Sequence, residues 1–600
     1  MPHEAKKPSA AAVVSILVFA SLVPLACGEE RNLGGDAPSF PEAGAPDAPQ
    51  CGYRCSPDLK KVLSTCEGES ETVKEVCSAD EGCGIDRCVS ACDAAALSKG
   101  SAGCGFWTLP PDDAVYGAGS CFAAMVANTW DRPVTISAEW GADPLDISRS
   151  VYTASRLSGE PEYTLLEGPL PPGQVAIVFL SQKKAPIGSD KFIACPAGTT
   201  PAVDADPIKH GTARTKAFHL EMDAPVSAYS IFPYGGAASE VPSATLLLPE
   251  TSWEKAYIGV TVARFGDPGR TFGEKRTFQI IGTEDGTKVS MKPNFDISGA
   301  EGIEPGVAGE VKTWSLARGE VLQFTQDGLI SGSPIEADRP IGLFGASPCA
   351  FLPGEKGYCD VFGQQIAPLS QWGTEYALVP YRSRLETISA PLRETVAWSF
   401  VGAVDGTVLT WSPSKPPGAP ETLAAGQTVT YLTDAIVSVK SQDAKHPFHA
   451  AVYMTGATFG GGGPGLTLGD PDFVNVVPAN QYLDRYVFFA DYTYPETSLT
   501  IVRKKHLGTF SPVVLECGGE IGDWMPLGDG SEYEYAWVQL TTGFKPLQLP
   551  GGECGYGRHV AESAGPFTLS VWGIGKDASY GYPAGTGSRP INDAPSGILR

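Results

Sequence analysis

Six hundred residues with 44 Lys and Arg against 68 Asp and Glu, a formal charge of −24, make an acidic chain too long for one core. That charge repels phosphate backbones, and no basic cluster stands beside aromatics, which excludes nucleic acid as a partner. The 70 Gly and 51 Pro, among many Thr, Val, Tyr and Phe, fit short strands joined by turns.

The N-terminus reads as an export signal. Lys6 and Lys7 precede an apolar run over 10–23, and Leu25-Ala26-Cys27 supplies the small residue before a cysteine that a lipoprotein signal peptidase needs. The run is shorter than the roughly 20 residues of a spanning helix. Pro24 departs from the Leu usual three residues before such a cysteine, and an ordinary secretory signal is the alternative. The expectation is a signal over 1–27, lipid on Cys27, and the membrane as a partner through that anchor. Gly28 in place of Asp favours the outer membrane or cell surface. Residues 28–50, rich in Pro, Gly, Ala and acids, form a disordered linker.

Eight cysteines crowd into 51–104: Cys51, Cys55, Cys66, Cys77, Cys83, Cys88, Cys92 and Cys104. In an exported chain this density means a small domain stapled by disulfides. The zinc alternative lacks His and paired CxxC knuckles. Seven of the eight precede residue 93, so Cys104 is expected to pair back and clip this domain to the next. The remaining six fall in neighbouring pairs, Cys121 with Cys195, Cys349 with Cys359 and Cys517 with Cys554.

From there the chain repeats. Pro249-x3-Trp253-x3-Tyr257 returns as Pro368-x3-Trp372-x3-Tyr376 and Pro478-x3-Tyr482-x3-Tyr486. Asp285-Gly286-Thr287 returns as Asp405-Gly406-Thr407, each read as a hairpin turn rather than a calcium loop. Leu-x-x-Gly-[Gln/Glu] occurs at Leu170, Leu316 and Leu423, with a weaker copy at Leu527, and each copy closes on an apolar strand led by Pro225, Pro340, Pro447 or Pro566. About seven strand-like segments in roughly 110 residues match one β-sandwich, whereas a propeller blade takes roughly 40–50 residues. The predicted fold is all-β: tandem β-sandwich-like modules over 105–249, 250–367, 368–477 and 478–585, preceded by the disulfide domain 51–104 and followed by a tail, 586–600. Helical periodicity outside the signal is confined to 57–64. The aromatic residues after each leading proline are assigned to core and inter-module packing. The longer stretches that carry Cys195 and Cys554 are read as inserted loops pinned by their disulfides.

Gly103-Cys104-Gly105-Phe106-Trp107, the following CFAAMVANTWDRPVTISAEW, ATLLLPETSW, GDPDFVNVVPANQYLDRYVFF and SYGYPAG together resemble the domain named after the N-terminus of the IgGFc-binding protein. The resemblance covers roughly 105–590. The signal and Cys-rich segment before it look like those of myxobacterial exported proteins. It implies a β-rich extracellular module of adhesive or mucus-like proteins. It supplies no catalytic residues and does not carry immunoglobulin binding over to this chain.

Catalytic signatures are thin. His446 and His449 form the one close His pair, but three apart on a strand they face opposite ways. Ser181-x2-Lys184 and Ser412-x2-Lys415 lack a helix start, and the glycine run 460–463 is followed by Pro464 without a Lys-Ser/Thr. Asp470 with Asp472 and Asp204 with Asp206 are read as solvated turns. The expectation is a non-enzymatic envelope lipoprotein, without cofactor or metal, that binds an extracellular protein or glycan. A structural spacer and, more remotely, a polymer hydrolase are the alternatives.

Overall fold

The computed structural model describes residues 51–66, 69–156, 159–186, 188–238, 240–263, 275–353, 359–387, 392–457, 468–528 and 530–597. The signal, Cys27, the linker 28–50 and the glycine run 460–463 lie outside them.

Strands Cys51–Cys55, Lys61–Cys66 and Thr72–Val76 make a three-stranded antiparallel sheet, and Glu81–Cys83 pairs with Cys88–Ser90. Their apolar core is little more than Val62 and the disulfides. Bonds 51–66, 55–83 and 77–88 therefore hold the domain, and Cys92–Cys104 ties it to the next strand. The helical reading of 57–64 is overturned: a turn there leads into strand Lys61–Cys66, which pairs along its length with Cys51–Cys55. The helix is instead Ala91–Ser98, capped by the Ser90 side chain on Asp93 N–H. Its buried residues are Ala91, Ala94 and Ala95, small side chains that leave almost no apolar periodicity.

The rest of the chain builds one two-layer unit four times. In the third copy the layers are separate sheets. One holds Glu375–Leu378, Thr407–Ser412, Thr422–Leu423 and Val437–Ser441; the other holds Val396–Gly402, Thr428–Thr433, Phe448–Met454 and Asp472–Asn475. Leu409 and Val439 from one layer and Phe400 and Phe448 from the other share a core. In the other copies a single long strand, Phe218–Phe232, Pro334–Ala350 or Gly557–Gly575, runs through both layers. It changes partners at the closing proline. Before Pro340, for example, it pairs with Thr287–Met291, and after it with Arg276–Gly282. Proline has no N–H to continue a ladder, so it stands where the strand passes between layers.

The Pro-x3-[Trp/Tyr]-x3-Tyr motif fastens that passage. The hydroxyls of Tyr257, Tyr376 and Tyr486 donate to the carbonyls of Ile341 (2.6 Å), Phe448 (2.5 Å) and Phe567 (2.6 Å), each the residue after a closing proline. The same hydroxyls accept from the N–H groups of Glu254, Gly373 and Leu483, three residues upstream. Phe106 takes the position in the first copy, three residues beyond Gly103, which pairs with Val226.

Asp285-Gly286-Thr287 and its copy are tight turns, with Gly286 at φ 75° and Gly406 at φ 73°. They are not hairpins. The strands they join are not paired with each other but lie on either side of the closing strand or in opposite layers. The Leu-x-x-Gly glycines serve twice. Gly319 and Gly426 have φ of 70° and 67°. A Cβ there would stand 2.5 Å from the Gly141 carbonyl or 2.6 Å from that of Gly332, each in the preceding unit.

The four units do not stand in an open row; they close. The last strands of each, Ser243–Leu247, Asp360–Gln365, Asp472–Asn475 and Ala578–Pro583, touch in sequence, and the fourth touches the first. Ser243 Oγ accepts from Gly363 N–H (3.0 Å), and Asp472 Oδ2 accepts from Gly581 N–H (2.7 Å). Gln364 Nε2 donates to the Ala244 carbonyl (2.6 Å). The first and last units share one apolar core, with Phe106, Val226, Phe488 and Phe567 among its members. The arrangement has a propeller's closure, but each unit is a sandwich rather than a blade.

Two segments cross unit lines. Strand Ala213–Lys216, within 105–249, is hydrogen-bonded to Glu320–Gln326 and so joins the second sheet system. The tail is bound across one end of the ring: Asn592 Nδ2 donates to the carbonyls of Leu369 and Trp372, and Ser588 N–H to that of Lys99.

Candidate functional site

A groove of about 480 Å³ lies where the Cys-rich domain meets the seam between first and last units. One wall is strand Cys51–Cys55 and the turn after it; the other is strand Leu483–Ala490; Trp130, Pro225 and Ser227 lie between. The walls are fixed in place. Trp130 is 4 % exposed and donates to the Ala79 carbonyl (2.7 Å), Lys60 lies over its ring, and Arg132 pairs with Asp80 at 2.9 Å.

Three large apolar side chains of the lining stay in solvent, Tyr53 at 42 %, Ile85 at 55 % and Leu97 at 48 %. Charges of opposite sign face each other across the gap. Burial pushes the Asp58 carboxyl up, but hydrogen bonds from Ser56 and Lys60 N–H, with Arg485 opposite, hold it below the usual carboxylate range. Asp484 lies within electrostatic reach of Arg54 and Arg589. Arg54 is bonded twice to Glu71 and Arg485 to Glu562, while Arg589 has no carboxylate partner among the described residues. The groove thus offers apolar surface, an exposed cation and strand backbone.

None of these residues stands out in the sequence, because the walls are more than 400 positions apart. The cysteine density at 51–104 is the one signal near it.

The structure joins the dispersed cysteines as Cys121–Cys195, Cys349–Cys359 and Cys517–Cys554. All fourteen cysteines from Cys51 onward are in disulfides. Among the described residues no three His, Cys, Asp or Glu side chains converge as metal ligands would.

His446, His449 and His210 each have partners of their own. His446 bonds to Asp443 at the surface, while His449 is buried with Nε2 3.0 Å from Asn475 Oδ1. His210 sits between Asp112 (2.8 Å) and Asp206 (3.0 Å); burial opposes its charge, yet the two carboxylates carry its pKa to about 10. Ser181 is buried at the end of a strand and Ser412 is exposed at the end of another, so neither Ser-x-x-Lys match begins a helix.

The solvated-turn reading of Asp470 and Asp472 is overturned. They are 3 % and 0 % exposed, because they belong to the ring's inner surface. Asp472 holds neighbouring strands through Ser243 and the N–H of Gly581, and also accepts from the N–H of Phe473 in its own strand. Asp360, also fully buried, has no hydrogen-bond partner on either oxygen among the described residues. Burial, and then the charges of Asp470 and Asp472, push its pKa well above the usual range. By contrast Asp204 is exposed and Asp206 serves His210.

Residues 243–573 match the family model described as IgGFc binding protein. The match starts at the first inner strand, leaves out the Cys-rich domain and most of the first unit, and gives no support to a myxobacterial lipoprotein type. No curated protein and no solved structure matches the chain. With more than half of its residues in that match, the chain belongs to the IgGFc binding protein family.

Proposed function

We propose that this is an exported, lipid-anchored surface protein that recognises an extracellular protein in the groove between its Cys-rich domain and the ring seam. The groove carries the reading: a folded, disulfide-stapled domain is held so as to leave apolar side chains and an exposed arginine facing a gap. Seven disulfides suit an oxidising compartment outside the cytosol. The family's name is that of a binding protein, in line with a protein ligand, though not with any particular one.

A spacer has one feature in its favour, the extensive packing between units. A closed ring, however, gives little reach for its length. Catalysis has little to recommend it, since His210, His446, His449 and Asp472 are each engaged in hydrogen bonds and the Ser-x-x-Lys matches begin no helix.

The test is capture of defined extracellular proteins and glycans by the full chain and by Leu97→Asp and Arg589→Glu variants. The reading expects a protein ligand whose retention falls at least tenfold in both variants. Retention unchanged by both would overturn the groove. For the anchor, Cys27→Ser should release the chain from membranes, and unchanged membrane association would end that part. The divisions at 249, 367 and 477 belong to the same proposal, with limited proteolysis expected to cut near them before it cuts within a unit.

A further inference from the structure

The two walls of the groove are both edge strands. Among the described residues Cys51–Cys55 pairs only with Lys61–Cys66, and Leu483–Ala490 only with Gly557–Gly575. In an antiparallel ladder opposed residues alternate between exchanging hydrogen bonds and turning their N–H and C=O groups outward; the outward pairs have the shorter Cα separation, about 4.5 Å. Cys51 and Cys66 are 4.0 Å apart at Cα and disulfide-bonded, which marks an outward pair. The register runs without a bulge, so Tyr53, opposite Ser64, is outward as well.

On the other wall the Val487 carbonyl accepts from Tyr229 Oη, away from its own partner strand. Opposite it, the Val560 carbonyl is taken by Glu516 N–H, on the far side. Val487 and Val560 are therefore also an outward pair, and so is Arg485 with Glu562, two residues earlier. The N–H and C=O groups of Tyr53 and Arg485 line the groove and have no partner among the described residues.

From this we infer that the groove binds an extended peptide that adds as a strand between the two edges. Its backbone bonds to Tyr53 on one side and Arg485 on the other. This rests on the groove being the ligand site and names the form of the ligand. Free strand edges recognise extended backbone, and alternate side chains supply specificity. Peptide residues facing one way meet Tyr53, Ile85 and Leu97, which calls for apolar side chains at alternate positions. The exposed Arg589 guanidinium, which makes no salt bridge among the described residues, calls for an Asp or Glu among the rest. A glycan would satisfy the arginine but would not need two antiparallel-type edges.

The probe is a phage-displayed library of random dodecapeptides panned on the immobilised full chain. The peptides expected to enrich share apolar residues two apart and one acid. A synthetic copy is then measured against Tyr53→Pro and Tyr53→Ala. The proline removes an N–H that the parent sheet does not use, which an edge strand tolerates. Binding should fall at least tenfold with proline and less with alanine, which keeps the N–H. Hydrogen exchange on the unmodified chain, independent of any variant's folding, should show the Tyr53 and Arg485 amides slowed by the peptide. A library without enrichment, or an enriched peptide that leaves both amides exchanging at the free rate, overturns the strand. If defined extracellular proteins are still retained through Leu97 and Arg589 in that case, the groove survives and only its extended ligand is lost.

Discussion

The hydroxyl of Tyr229 lies 2.6 Å from the carbonyl of Val487 and 3.0 Å from that of Ala584, a buried contact between the first and last repeats. It fills the place where an open row of units would have two free ends. Tyr229→Phe keeps the ring's packing and removes the one O–H donor that the two carbonyls share, so it should cost about 1–3 kcal/mol of unfolding free energy. Urea denaturation checks this; a change below a few tenths would mean that the contact contributes nothing to closure.

Gly332→Ala should be far worse than its size suggests. The added Cβ would stand 1.8 Å from the Gly426 carbonyl of the next unit, at a residue with φ 84°. Backbone cannot yield as a side-chain tip does, so a loss of about 2 kcal/mol or more is expected. Gly286→Ala is the control: it has the same sign of φ but open space, and should cost only about 1 kcal/mol.

The inner acids and the buried histidines give opposite pH signatures. Asp360 is pushed well above the usual range, first by burial and then by Asp470 and Asp472, and burial takes Asp470 to about 7. An acid with a raised folded pKa contributes stability that is complete below about 3.8 and lost as pH rises through the folded value. Asp360→Asn should therefore raise the urea midpoint relative to the parent at pH 8 and lose that advantage at pH 4. An equal effect at both values would show that Asp360 does not titrate in this way.

Burial holds His449 and His559 at about 4. A histidine with a depressed folded pKa contributes stability that is present above about 6.5 and lost as pH falls toward 4, at about 1.4 kcal/mol per pKa unit. His449→Phe or His559→Phe should narrow the stability gap between pH 7 and pH 4.5 relative to the parent. An unchanged gap would contradict the assignment.

What the sequence made legible was whatever local chemistry writes. Asp-Gly-Thr and Leu-x-x-Gly announce turns because they need positive φ, and the closing prolines announce strands because of the apolar run behind them. The passage of those strands between layers was hidden: the missing N–H of Pro340 is visible in sequence, but its change of ladder is not. Helix Ala91–Ser98 was missed because its buried side chains are alanines, which leave no amphipathic stripe, although Ser90 and Asp93 already spelled its cap. Asp470 and Asp472 looked like a solvated turn because acids beside Gly and Pro normally are; only ring closure buries them. Closure also creates the groove, bringing Tyr53 and Arg485 to its two walls, and no local pattern encodes that meeting.

Closure is therefore the claim on which the groove, the inner acids and the Tyr229 contact all depend. Small-angle X-ray scattering on the chain from residue 51 tests it most directly. A closed, compact body of this size should give a radius of gyration of about 24 Å. Four units strung in a row, each about 13 Å on the same scale, would exceed roughly 30 Å with an elongated distance distribution, and that result would contradict the ring.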